Sequence, residues 1–86
     1  MSTRVVVFTT STCGYCQRLK QRPEFRRALQ MGLEEYDLYQ YPQWQSVFQQ
    51  VSPGTVPAVA VLQGNRLIDK GVGTDEILDI IAQYYG

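Results

Sequence analysis

The sequence predicts an α/β fold: a four-stranded mixed sheet flanked by three helices, in the order β-α-β-α-β-β-α. Three observations carry it. Residues 5–8 and 58–62 are short, continuously apolar runs, the pattern of strands buried on both faces. Ile77, Ile80, Ile81, Tyr84 and Tyr85 recur at helical spacing and give one apolar face. Gly64-Asn65, between two strand-like runs, signals a tight antiparallel turn.

The elements follow in order. Residues 4–9 form the first strand. Thr10, Ser11 and Thr12 bring helix-capping chemistry, and a helix starts between Cys13 and Tyr15. Pro23 sits inside that helix, where proline costs about 3 kcal/mol, so a kink or break is expected near Arg22. Phe25, Ala28 and Leu29 resume the helical spacing, and Gly32 ends it. A second strand spans residues 33–39. Pro42 opens a short helix with Trp44, Val47, Phe48 and Val51 on its apolar side, and Ser52-Pro53-Gly54 stops it. Residues 58–62 form a central strand and residues 66–70 the returning one. After a corner at Gly71-Val72-Gly73, Thr74 is the expected cap of the last helix, with Asp75 and Glu76 suiting its positive end. The first half is a right-handed βαβ unit with parallel strands, and the second half adds a hairpin.

Composition narrows the function. A chain of 86 residues suits one domain, here residues 1–86. With 44% hydrophobic and 19% charged residues it belongs with folded proteins, not disordered ones. Eight basic residues balance eight acidic ones, so no bulk charge draws it to nucleic acid. Residues 5–8 are the longest apolar run near the beginning, shorter than an export core of about 7–15 residues. A soluble cytoplasmic monomer is expected, with neither nucleic-acid nor membrane partners. A reducing compartment favours a transient, catalytic or metal-binding cysteine pair over a permanent disulfide.

Both cysteines, Cys13 and Cys16, lie three residues apart at the start of the first helix. The spacing alone leaves three readings: a redox pair, half of a metal site, or two buried thiols. On a helix such positions hold their Cβ atoms about 5–6 Å apart, and a disulfide needs about 3.5–4.5 Å. A small adjustment therefore closes or opens the bond. The first turn of a helix has free N–H groups that favour a thiolate placed just before it. Cys13 has that place and is the expected nucleophile. Cys16, one turn inside, is the expected resolving thiol. The chain has no histidine, which weakens a zinc site and removes the usual base of hydrolase chemistry. Arg18, Lys20, Arg22, Arg26 and Arg27 read as a solvated helix face, with Arg18 and Lys20 the candidates for steering anions towards Cys13.

Three segments, "VVVFTTSTCGYC" from Val5, "GTVPAVAVL" from Gly54 and "GVGTDEIL" from Gly71, come in the order and at the separations found in glutaredoxins, within the thioredoxin-like superfamily. The resemblance covers the whole chain. It implies a thioredoxin-like (glutaredoxin) fold and a thiol–disulfide oxidoreductase, with Cys13 as nucleophile and Cys16 as resolving cysteine. It implies that Thr55, Val56 and Pro57 form a loop with a cis proline, whose backbone pairs with a bound thiol such as glutathione. Tyr15 would flank that thiol. Gly73, Thr74 and Asp75 would hold its γ-glutamyl end. Expected partners are glutathione or a related small thiol, acting as reductant, and disulfide-containing client proteins; no tightly bound cofactor or metal is expected. The sequence also departs from the family. Gly14-Tyr15 stands where common glutaredoxins have Pro-Tyr, and Thr10 stands where many have lysine. These features resemble mycoredoxins, which act on mycothiol, and they leave room for redoxins reduced by thioredoxin reductase. Gly14 also matches glutaredoxins that hold an iron–sulfur cluster between two chains with two glutathiones.

Overall fold

The computed structural model describes residues 2–86. Strand β1 (Thr3–Thr9) pairs parallel with β2 (Glu34–Asp37) and antiparallel with β3 (Ala58–Gln63), which pairs antiparallel with β4 (Arg66–Val72). The sheet order is β2-β1-β3-β4, so the two most apolar strands lie in the middle. Alternation along them feeds two cores. Val5, Val7, Val59 and Val61 face Leu19, Phe25, Ile77, Ile80 and Ile81. Val6, Phe8, Ala58 and Ala60 face Leu38, Phe48 and Val51. The sheet is therefore covered on both faces, as its apolar central runs require.

Among the described residues there are four α-helices where three were expected, because proline divides the first. Helix α1 (Gly14–Gln21) stops at Arg22, whose extended backbone is the conformation favoured before proline, and α2 (Pro23–Gln30) restarts with Pro23 in its first turn. Gly32, at φ 113°, closes α2 with a double backbone cap: its N–H bonds the Leu29 carbonyl at 3.3 Å, and the Leu33 N–H bonds the Ala28 carbonyl at 2.9 Å. Leu33 is thereby drawn into the core as part of the helix end, and β2 begins one residue later than expected. The strand also ends earlier, at Asp37. Asp37 accepts the Tyr39 N–H with its side chain at 2.8 Å and the Tyr41 N–H with its carbonyl at 2.9 Å, which turns the chain.

Pro42–Trp44 is a 3₁₀ turn leading into α3 (Gln45–Val51), and α4 spans Thr74–Tyr85. Trp44 anchors the short turn as expected. Its ring stacks on Tyr36 at 4.9 Å and meets Phe8 at 6.0 Å. The Arg4 guanidinium lies 5.4 Å over it while bonding Glu34 across the sheet, Nε to Oε2 at 2.8 Å. That bond, reinforced by the Tyr36 hydroxyl, holds the Glu34 carboxyl below its ordinary range. One expectation fails: Thr74 does not cap α4. The cap is Gly73, at φ 90°, and Thr74 is the first helical residue. Glu76, three residues past the cap, reaches back and accepts the Val72 N–H at 2.8 Å.

Gly32→Ala forces a side chain into the left-handed region and is expected to destabilise the protein by about 1–2 kcal/mol. Gly14→Ala, whose added Cβ meets only the Arg18 side chain at 3.9 Å, is expected to change stability by less than about 1 kcal/mol. Urea unfolding of both variants tests this, and equal losses would refute the role of Gly32.

Candidate functional site

The register of the sheet brings three connections to one edge. Phe8 pairs with Ala58, and Ala58 pairs with Val72. The loop after β1, the loop before β3 and the corner after β4 therefore emerge side by side. The first carries Cys13, the second Thr55, Val56 and Pro57, the third Gly73, Thr74 and Asp75.

Cys13 is the N-cap of α1, so the capping chemistry foreseen for Thr10–Thr12 belongs to a thiol. Its Sγ accepts the Cys16 backbone N–H at 3.1 Å. Its own N–H bonds the Thr10 carbonyl at 3.2 Å, fixing the loop behind it. The Cys13 side chain is half-buried, and its thiol points to the Val56 carbonyl, Sγ to O 3.7 Å. Cys16, one turn on, is fully buried. Burial, with the hydrogen bond to Cys13 second, pushes its thiol up to about 12. Both cysteines are free thiols. The two differ in their surroundings: the half-buried Cys13 sulfur takes an N–H from the helix, and Cys16 is buried behind it.

The Val56–Pro57 peptide is cis. Ser52, which the sequence marked only as a helix stop, organises the loop ahead of it. This serine is buried; its Oγ accepts the N–H groups of Gly54 at 3.3 Å and Thr55 at 2.9 Å and donates to the Thr55 carbonyl at 2.9 Å. Its place between an apolar helix and a Pro-Gly turn was the only available signal. Across the sheet edge the Gly73 N–H bonds the Pro57 carbonyl at 2.8 Å, tying the loop to the start of α4.

A groove of about 550 Å³ runs along this edge. Tyr15 stands on one side, Thr55, Val56 and Pro57 follow, and Gly73, Thr74, Asp75 and Glu76 close the far side. The expected substrate-binding residues are thus brought together next to Cys13. Tyr15 is 65% exposed, and the Arg18 guanidinium lies 4.8 Å over its ring. Of the basic stretch, Arg22 pairs with Glu24 at 3.0 Å on the surface, as a solvated face would. A second groove, of about 370 Å³, lies between the Thr10 loop, α3 and the Ser52–Gly54 turn, and shares Val56 with the first. Among the described residues, no group of three or more His, Cys, Asp or Glu side chains comes together to hold a metal.

The architecture is that of the thioredoxin-like proteins. The chain is similar to oxidised thioredoxin of Plasmodium falciparum, with a TM-score of 0.73 at 16% identity over 98% of this chain and 82% of that one. It is similar to Fasciola hepatica thioredoxin, with a TM-score of 0.73 at 15% identity over 95% and 80%. Malassezia sympodialis thioredoxin gives 0.72 at 19% identity over 98% and 76%. No curated protein matches the chain in sequence. The family model described as glutaredoxin matches residues 5–68, from the first strand through the cysteine pair and the cis-proline loop into the last strand. The chain belongs to the glutaredoxin family. Family and cysteine pair together support thiol–disulfide exchange as its chemistry.

Iodoacetamide at neutral pH is expected to label Cys13 and leave Cys16 unmodified until the protein is unfolded. Because the folded-state value of Cys16 lies above that of a free thiol, its contribution to stability is complete below about pH 8.5 and is lost as pH rises towards about 12. The reduced wild type should therefore lose stability faster with rising pH above about 9 than Cys16→Ala does. Parallel pH dependences would refute the burial argument.

Proposed function

We propose that this protein reduces protein disulfides and mixed disulfides between proteins and a small thiol, with glutathione or a related thiol as its reductant. The observation that carries the reading is the Cys13 thiol, held at the helix start 3.7 Å from the Val56 carbonyl and beside the groove between Tyr15 and Asp75. In the first step the Cys13 thiolate attacks one sulfur of the substrate disulfide. A Cys13 mixed disulfide forms and the other half departs as a thiolate. Two routes complete the cycle. Cys16 loses its proton to the departed thiolate and attacks Cys13 Sγ. The bond from Cys13 to the bound half breaks, and that half leaves as a thiolate. The Cys13–Cys16 disulfide so formed is returned to two thiols by two molecules of the small thiol, which leave as their own disulfide. Alternatively a second small thiol attacks the mixed disulfide and frees Cys13. The high value of Cys16 keeps it protonated at rest, so it does not compete with Cys13 for substrate.

In this reading Thr55, Val56 and Pro57 offer backbone groups to the peptide part of the thiol, and Tyr15 covers it. The N–H groups at the start of α4, around Thr74 and Asp75, receive its carboxylate, and Asp75 its amine. The proposed setting is cytoplasmic, where the pair would stay reduced, and the working form a monomer. Among the described residues no helix is long and apolar enough to cross a membrane.

Cys13→Ser is expected to abolish reduction of every disulfide tested. Cys16→Ser should keep activity on glutathione mixed disulfides while losing the dithiol route. An inactive Cys16→Ser beside an active Cys13→Ser would reverse the roles. The reductant is identified by coupling turnover in turn to glutathione with its reductase, to mycothiol with its reductase, and to thioredoxin reductase alone. A brown, dimeric protein on anaerobic purification would instead point to a shared iron–sulfur cluster.

A further inference from the structure

The rim of the groove beside Cys13 carries an inference about the proteins this site serves; it rests on the exchange chemistry proposed above. Arg18 is exposed on α1, and its guanidinium lies 4.8 Å over the Tyr15 ring. Its Nη1 would be 3.9 Å from a Cβ on Gly14, so the side chain folds back along the helix towards the cysteine end. Tyr15 lines the groove and Arg18 does not. The guanidinium is therefore outside the groove, on the ring that forms its wall. A small thiol filling the groove meets Tyr15, whereas a partner wide enough to pass over that wall also meets Arg18. The cation has no partner of its own. The ion pairs among the described residues are Arg4–Glu34 and Arg22–Glu24, and no side-chain hydrogen bond there engages Arg18. Lys20, two positions on, does not share that face of the helix.

Stacking uses the flat face of a guanidinium and leaves its N–H edge open, in the fork geometry that pairs with a carboxylate. The ring already orders the side chain, so less freedom is lost when that edge is taken. Tyrosine and arginine are also enriched where proteins make their strongest contacts. Asp75 and Glu76 line the groove and disfavour a client carboxylate there, which leaves the Arg18 rim to receive it. We propose that Tyr15 and Arg18 form a docking point for client proteins whose disulfide has an acidic side chain close by in sequence. The carboxylate pairs with the open edge of Arg18 while Cys13 meets the disulfide.

The probes are symmetrical disulfides of a short peptide with one cysteine, made with Glu or Gln at one of the two positions on either side of it. The Cys13 thiolate attacks one sulfur, the Cys13–peptide mixed disulfide forms, and the other peptide leaves as a thiolate. Rates come from rapid-quench mass spectrometry at low ionic strength. Each is divided by the rate with free cysteine, which removes intrinsic reactivity. At one or more positions the Glu peptide should outrun the Gln peptide by about two- to fivefold, the worth of an exposed ion pair, and added salt should erase the difference. Arg18→Gln should lose the preference and Arg18→Glu should invert it. Arg26→Gln, which removes the same charge from the exposed side of α2, should keep it. A ratio no greater than one at every position overturns the proposal. So does a preference that Arg18→Gln retains, or that Arg26→Gln loses to the same extent. Oxidised glutathione slowed by Arg18→Gln as much as the Glu peptide would also overturn it, by assigning the cation to the small thiol. Failure of the exchange chemistry itself reads differently: Cys13→Ser would then react as fast as wild type with every peptide.

Discussion

The antiparallel pairing of β1 with β3 is the constraint on which the site depends. Both strands are buried on both faces, so each side chain has an assigned core. A slip of one residue would exchange Val5 and Val7 for Val6 and Phe8 and disrupt the two cores together. That fixed register sets Phe8 opposite Ala58, and β4 in turn sets Val72 opposite Ala58. The cysteine loop, the cis-proline loop and the corner before α4 meet because their strands end level with one another. Nothing in the loops has to search for the others. Chemistry that needs a thiol, a carbonyl edge and a helix start within reach of one ligand is assembled by apolar packing several residues away.

Within that frame one turn of helix gives two identical side chains different surroundings. Cys13 precedes the turn, so its sulfur takes the place of the oxygen that usually caps a helix and receives the Cys16 N–H. Cys16 lies inside the turn on the buried face of the helix, and burial pushes its thiol up. Pro23 shapes this arrangement from a distance. By ending α1 at Gln21, it leaves a short helix that carries the pair, while α2 resumes with Phe25 and Ala28 in the core. The redox element is thus a two-turn segment, anchored through Cys16 and Leu19, and distinct from the helix that follows.

Much of this was legible in the sequence because the signals were local or strongly periodic. The apolar runs marked the central strands and Pro23 the helix break, while the Cys13–Cys16 spacing left a redox pair as one of three readings, which the family likeness then favoured. Family likeness, not periodicity, pointed to Thr55–Pro57 and to Gly73–Asp75. What escaped depended on contacts between segments. Leu33 looked like strand, but its N–H completes the cap of α2. Thr74 had the right chemistry for a cap, yet the chain bends at Gly73, whose φ of 90° suits glycine, and Glu76 reaches back to Val72 instead. Ser52 looked like a helix breaker, and its hydroxyl proves to be the centre of a loop. The second groove was invisible because its polar residues come from positions as far apart as Thr10 and Gln49.

The Val56 edge is held from both ends without any help from a ligand. Upstream, Ser52 satisfies two N–H groups and a carbonyl of the turn that leads to it. Downstream, Pro57 gives its carbonyl to Gly73. Beyond it, Val72 is bound by Glu76, and Gly71 packs so closely that a Cβ there would come within 3.1 Å of the Glu76 side chain. Each bond uses up a polar group that would otherwise compete for the substrate, and each reduces the ordering that binding would require. The groups left facing the two grooves are then few and of defined kind: the Val56 backbone edge, an aromatic ring at Tyr15, acidic side chains at one end, and neutral amides and hydroxyls at the other. The edge beside Cys13 is thus fixed by bonds within the chain, and its two ends differ in chemistry.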